Sequence, residues 1–210
     1  MTTTTKKKYV QKPIGSRCLT AEETYKIIDW LATERILMPN VPRCMRDTCM
    51  ILLMLDAGLR VGEINKLNVV DLWKFEQPVE SLFVSAEISK SKRDRTVPLS
   101  FRVRKAIQDI HDKIWTHYDY TIHSAAFVTG FFQQRITIRQ TQRIVNDIGT
   151  LAIKRHLTPH MLRHTFATRL MRTTNVRIVQ TLLGHTSLSS TQIYTHPDSD
   201  DLKKAITGLD

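Results

Sequence analysis

The chain has 210 residues, enough for one folded domain with a substantial core. Its 31 lysines and arginines against 20 aspartates and glutamates leave a net charge of +11, an excess that points to a polyanionic partner, nucleic acid foremost. No apolar run approaches the roughly 20 residues of a membrane helix, the Thr2–Lys8 stretch lacks the apolar core of a secretory signal, and three cysteines (Cys18, Cys44, Cys49) with no C-x-x-C pair argue against a disulfide scaffold or zinc ribbon.

Residues 1–18 read as a basic flexible tail, polar and threonine-rich, with Pro13 and Gly15 as breakers. Ordered structure is expected from about Leu19. Thr20 and Glu23 form a capping box, and Tyr25, Ile28, Leu31 and Ile36 follow at helical spacing. After Pro39 and Pro42, an apolar helix is expected from about Arg43 to Ala57, with Gly58 as its stop, then a short helix near Val61–Leu67. Ser81–Ile88 and Arg95–Leu99 read as the arms of a β-hairpin whose tip, Ser89–Asp94, is basic. Ser100–Trp115 has a helical apolar face, 117–135 is irregular, and a helix spans about Thr137–Lys154. Thr158-Pro159 is an N-cap followed by proline at the first helical position, opening a helix to about Arg172. Val176–Leu183 is a short helix closed by Gly184, Ser187 caps a further short helix carrying Tyr194, and 198–207 forms a terminal helix. The class is mainly α with a small antiparallel sheet, an α+β fold.

Five segments carry groups suited to phosphate chemistry. Arg60 directly follows a helix stop, and its planar fork suits two phosphate oxygens at once. Lys90, Lys92 and Arg93 sit on the hairpin tip, with Arg95 just beyond; a lysine there can reach a DNA groove or protonate a leaving oxygen. His160 and Arg163 share one helix face near its N-terminus, where free amides also favour an anion. His160 and His164 are spaced as a metal pair, but Met161 stands where the zinc-protease pattern requires Glu. His185 follows the glycine stop, and Tyr194 lies nine residues later; a phenol is a weak nucleophile unless cations surround it. Each feature alone also fits a surface charge, a helix cap or a packed aromatic residue.

Together, Gly58-Leu59-Arg60 with Glu63, Lys90 seven residues ahead of Val97-Pro98-Leu99, His160-x-x-Arg163-His164, Leu182-Leu183-Gly184-His185 and Tyr194 resemble the boxes of the tyrosine recombinase, or phage integrase, family over about Leu19–Asp200. The resemblance implies a catalytic domain at 19–210 that cuts and rejoins double-stranded DNA through a 3′-phosphotyrosyl link, as site-specific recombinases and integrases do. No metal, ATP or small-molecule cofactor is implied. Tyr194 would be the nucleophile, with Arg60, Lys90, His160, Arg163 and His185 catalytic. Glu63 and His164 would support them, Glu63 by orienting Arg60 or His160, and Lys92, Arg93 and Arg95 would contact DNA. Self-association on DNA as a dimer or tetramer and a cytoplasmic, nucleoid-associated location follow from the same resemblance. The additional N-terminal DNA-clamping domain of most members finds no room in residues 1–18. A type IB topoisomerase-like relaxing enzyme and a DNA-binding regulator without catalysis are the competing expectations.

Overall fold

The computed structural model describes residues 17–37, 40–90, 92–117, 120–129 and 134–184. Helix α1 spans Ala21–Leu37 and α2 spans Val41–Leu55. Two single-turn helices follow, α3 at Val61–Ile64 and α4 at Val69–Leu72, then strands β1 (Trp73–Lys74), β2 (Gln77–Pro78), β3 (Ser81–Val84) and β4 (Arg95–Pro98). Helix α5 (Phe101–Ile110) runs into a π-helical turn at His111–Trp115. Strands β5 (Val128–Thr129) and β6 (Gln134–Arg135) precede α6 (Ile138–Ile153), α7 (Pro159–Met171) and α8 (Val176–Leu183). The mainly helical class holds. The single expected sheet is instead three separate antiparallel pairs among the described residues, β1–β2, β3–β4 and β5–β6. The two smallest were illegible because two-residue strands carry no periodicity.

Capping chemistry sets most boundaries. At α1, Thr20 N–H donates to Glu23 Oε2 (2.8 Å) and Glu23 N–H to Thr20 Oγ1 (3.1 Å). Asn40 Oδ1 accepts from Arg43 N–H at the start of α2, Thr137 Oγ1 from Gln140 N–H at α6, and Thr158 Oγ1 from Met161 N–H at α7. Each side chain satisfies an amide that the first helical turn leaves without a partner. Gly184 ends α8 in the left-handed region, at φ 62°.

The core is the contiguous apolar stretch of α2, Cys49–Leu55, every residue of it buried. Against it pack Ile27 and Leu31 of α1, Val103, Ile107 and Ile110 of α5, Val145 and Ile148 of α6, and Leu162 of α7. Phe166, Ala167, Val179 and Leu183 form a smaller cluster that seats α8 on α7. Gly58 lies three residues beyond the end of α2 rather than at it. Its φ of +64° is a conformation that favours glycine, and a Cβ there would overlap the Phe166 ring.

Cys18 and Leu19, on either side of the expected boundary, both bond to the folded body. Leu19 N–H donates to Thr165 Oγ1 (2.8 Å), Cys18 Sγ lies 3.3 Å from Thr168 Oγ1, and Arg155 donates to the Cys18 carbonyl (3.4 Å). The helices expected at Ser187–Tyr194 and 198–207 lie outside the described residues, as do residues 1–16.

Gly58→Ala should destabilise the chain by at least about 2 kcal/mol, from the left-handed backbone and the forced shift of Phe166. Urea unfolding followed by circular dichroism reads it directly. A midpoint within error of the parent would show that neither constraint operates.

Candidate active site

The helix-stop turn after α2, the N-terminal half of α7 and the end of α8 meet at one side chain. Arg163 is almost fully buried. One terminal nitrogen donates to the Gly58 carbonyl and the other to the Leu183 carbonyl (2.7 Å). The guanidinium thus ties three of the segments singled out by sequence into one body. The reason is the backbone it serves: turn and helix-end carbonyls need donors when buried.

Arg60 is the more accessible guanidinium, its side chain 25% exposed. It begins α3, and its orientation is fixed by Glu63. Arg60 N–H donates to Glu63 Oε2 (2.8 Å) and Arg60 Nη1 to Glu63 Oε1 (3.0 Å). The expected support of Arg60 by Glu63 is therefore present in the geometry, but Glu63 has a second and deeper partner. Arg95 donates to both carboxylate oxygens (2.9 and 2.7 Å) and, through Nε, to the Leu182 carbonyl (3.0 Å).

That placement corrects the expectation that Arg95 contacts DNA. Its side chain is 3% exposed. In the β3–β4 register Leu82 pairs with Val97 and Val84 with Arg95, all four on the buried face, while Phe83 and Thr96 point outward. The strand alternation Arg95, Val97, Leu99 was a readable sign that Arg95 faces inward. Sequence reasoning missed it by treating the arginine as part of the basic tip. It likewise missed Asp56, whose carboxylate pairs with Arg102 of α5 (2.9 Å) and Arg169 of α7 (3.3 Å).

Lys90, Lys92 and Arg93 are exposed on the hairpin loop, as expected. The loop is braced from within: Asp94 Oδ1 accepts from Ala86 N–H (2.6 Å), Ser89 is buried, and Lys92 N–H donates to the Ser89 carbonyl (3.1 Å) with Lys92 at φ 50°. Lys66 Nζ reaches the Glu87 carbonyl (3.4 Å), tethering the loop beside α3.

His160 stands on the first turn of α7 and is solvent-accessible, while His164, one turn on, is buried. Their Nε2 atoms are 2.6 Å apart and the rings meet edge to face. One ring must donate and the other accept, so the pair shares one proton along this line. Partial burial of the His160 ring, then the charges of Arg163, Arg60 and Arg17, hold its imidazolium below the ordinary 6.5. His160 is thereby neutral at pH 7. Among the described residues no group of three His, Cys, Asp or Glu side chains is arranged to hold a metal ion. His185 and Tyr194 lie outside the described residues.

The family model described as the phage integrase family matches residues 17–200. The chain belongs to the phage integrase family. It is 32% identical over 192 residues to the tyrosine recombinase XerA of Pyrococcus furiosus and 35% identical over 166 residues to the tyrosine recombinase XerC of Proteus mirabilis, covering 90% and 78% of this chain. It spans 60% and 51% of the length of those two relatives. A crystal structure of XerA recombinase superimposes with a TM-score of 0.72 at 26% identity, over 99% of this chain and 66% of that one. The fold recurs in a post-cleavage complex of XerH site-specific recombinase bound to a palindromic difH substrate, again with a TM-score of 0.72, at 24% identity. In this integrase-family chain no described helix is long and apolar enough to cross a membrane.

Burial raises the cost of ionising Glu63, but the hydrogen bonds and charge of Arg95, the Arg60 amide and the charge of Arg163 outweigh it, and the carboxyl is held below the usual carboxylate value of 4.5. Its ionised form therefore stabilises the fold fully above about pH 4.5, and that contribution fades as pH falls through the lower folded-state value. Glu63→Gln should cost about 3 kcal/mol at pH 7, because Arg95 is left buried without its counter-charge. The difference should shrink in acid below pH 4.5; a gap that stays constant down to pH 3 in denaturant titrations would contradict the assignment. Separately, the His160 ring resonance in the DNA-free chain should titrate below 6.5 by NMR, and a midpoint at or above 6.5 would contradict the surrounding positive field.

Proposed function

We propose that this chain is the catalytic part of a site-specific DNA recombinase or integrase, a strand transferase acting on double-stranded DNA. The observation that carries the reading is the convergence of Arg60, from the turn after α2, with His160 and Arg163 of α7 on one positively charged locus, in a chain of the phage integrase family.

In the proposed reaction the Tyr194 oxygen attacks a backbone phosphorus. The new P–O(Tyr) bond forms as the P–O5′ bond breaks, leaving a 3′-phosphotyrosyl link and a free 5′-hydroxyl. The phenolic proton passes to neutral His160, and Lys90 on the hairpin supplies a proton to the departing 5′-oxygen. Charge building on the non-bridging oxygens is met by Arg60 directly. Arg163, whose charge acts on His160, adds to the same positive locus, and His185 is assigned to the group from its place in the sequence directly after Gly184. The covalent link conserves the energy of the broken bond, so attack by another 5′-hydroxyl reseals DNA without ATP or metal.

Lys92 and Arg93, exposed beside Lys90, are the proposed phosphate contacts; such contacts make affinity fall with salt. Glu63 orients Arg60, and His164 exchanges a proton with His160. Assembly of two or four copies on DNA, and a cytoplasmic setting on the nucleoid, complete the proposal.

A trapping experiment tests it. The chain is incubated with a randomised library of nicked duplexes, and DNA remaining attached after denaturation is sequenced. The parent should capture a defined site through a link that Tyr194→Phe abolishes while retaining DNA binding. Capture by the Tyr194→Phe variant, or none by the parent, would overturn the reading.

A further inference from the structure

Arg95 is bonded to two separate parts of the site, the Glu63 carboxylate and the end of α8. Its guanidinium grips both oxygens of Glu63 (2.9 and 2.7 Å), and Glu63 in turn holds the Arg60 amide (2.8 Å) and side chain (3.0 Å). Its Nε holds the Leu182 carbonyl (3.0 Å), next to the Leu183 carbonyl held by Arg163 (2.7 Å). Both carbonyls lie just ahead of Gly184, the residue before His185. Arg95 is also the first residue of β4, five positions after Lys90.

We infer that Arg95 is a positioning residue for strand cleavage, setting the direction of the Arg60 guanidinium through Glu63. This rests on the strand-transfer reading above. Three geometric facts favour positioning over simple packing. An apolar side chain would complete the face that Leu82, Val84 and Val97 already form, and the Leu182 carbonyl needs only the single Nε donor, so neither accounts for a fork aimed at Glu63. The contact with Glu63 is two-pronged, which fixes the carboxylate plane as well as its position. That plane decides which way Glu63 Oε1 draws Arg60. A lysine at position 95 would keep the charge but replace the fork by a single point contact, freeing the carboxylate to turn.

The distinguishing measurement compares two forms of the duplex captured by the parent chain. One carries the normal phosphodiester at the cleaved position. The other carries a methylphosphonate, which lacks one charged non-bridging oxygen and so has little need of a well-aimed guanidinium. Arg95→Lys should lower single-turnover cleavage of the phosphodiester roughly 10- to 100-fold, the usual range for a residue acting through a directly engaged group, while affinity for the duplex is unchanged. On the methylphosphonate it should come within about threefold of the parent. Equal losses on both substrates, or no loss on the phosphodiester, overturn the inference while leaving the strand-transfer reading intact. Absence of any Tyr194-linked adduct from the parent overturns both. Should Arg95→Lys not fold, Glu63→Gln carries the same comparison, since it loosens the same aim with both arginines present.

Discussion

The C-terminal end of α8 cannot be buried unless something donates to its last carbonyls. A helix leaves its last four carbonyls without intrahelical partners; in α8 the Gly184 N–H turns back to the Thr181 carbonyl, and the Leu182 and Leu183 carbonyls take donors from outside the helix. Two arginines from distant parts of the chain answer the need: Arg95 from β4 takes the Leu182 carbonyl, and Arg163 from α7 takes that of Leu183. Positive charge at this end also complements the helix dipole. The same two guanidiniums then reach the helix-stop turn at Gly58 and the carboxylate of Glu63. Satisfying a helix end and assembling a site are therefore one structural event. Four sequence segments converge here because two long cationic side chains are shared between backbone acceptors and acid.

The division of labour among the arginines follows from exposure. Arg95 and Arg163 are buried and committed to internal acceptors, while Arg60 retains an accessible face. Buried cations near a site do not need to touch a ligand to matter, since their field is weakly screened. The depressed basicity of His160 follows first from the partial burial of its ring and then from the charges of Arg163, Arg60 and Arg17. Glu63 is the acidic counterweight that lets so many cations share so small a volume.

Much of this was readable in advance. The caps at Thr20 and Thr158 and the stop at Gly184 were set by local backbone chemistry, which sequence carries in full. The boxes around Arg60, His160 and Arg163 were legible from spacing, and the hairpin from alternation. What escaped depended on pairing across the chain. The bond between Arg95 and Glu63 joins residues 32 positions apart, and Asp56 meets partners more than 40 positions away. No local pattern announces such pairs, although the phase of β4 did disclose which way Arg95 points. Arg163 adds a second case: its bonds to the Gly58 and Leu183 carbonyls depend on acceptors brought by two other segments.

The paired imidazoles of His160 and His164 have a consequence for the bookkeeping of protons. One ring meets solvent and the other is sealed in the core, and a single hydrogen lies between their facing nitrogens. Under the proposed chemistry, a proton leaving the attacking phenol enters a two-ring store rather than bulk water. The surrounding arginines oppose a second charge there, so the store fills once and is biased to empty. The same hydrogen would be at hand when the tyrosine is expelled during rejoining. Under that chemistry cleavage and resealing run as mirror images, the phenolic proton returning from His160 as the 5′-hydroxyl proton returns to Lys90, and the directionality of the overall reaction has to come from the DNA and its assembly rather than from the acid–base groups.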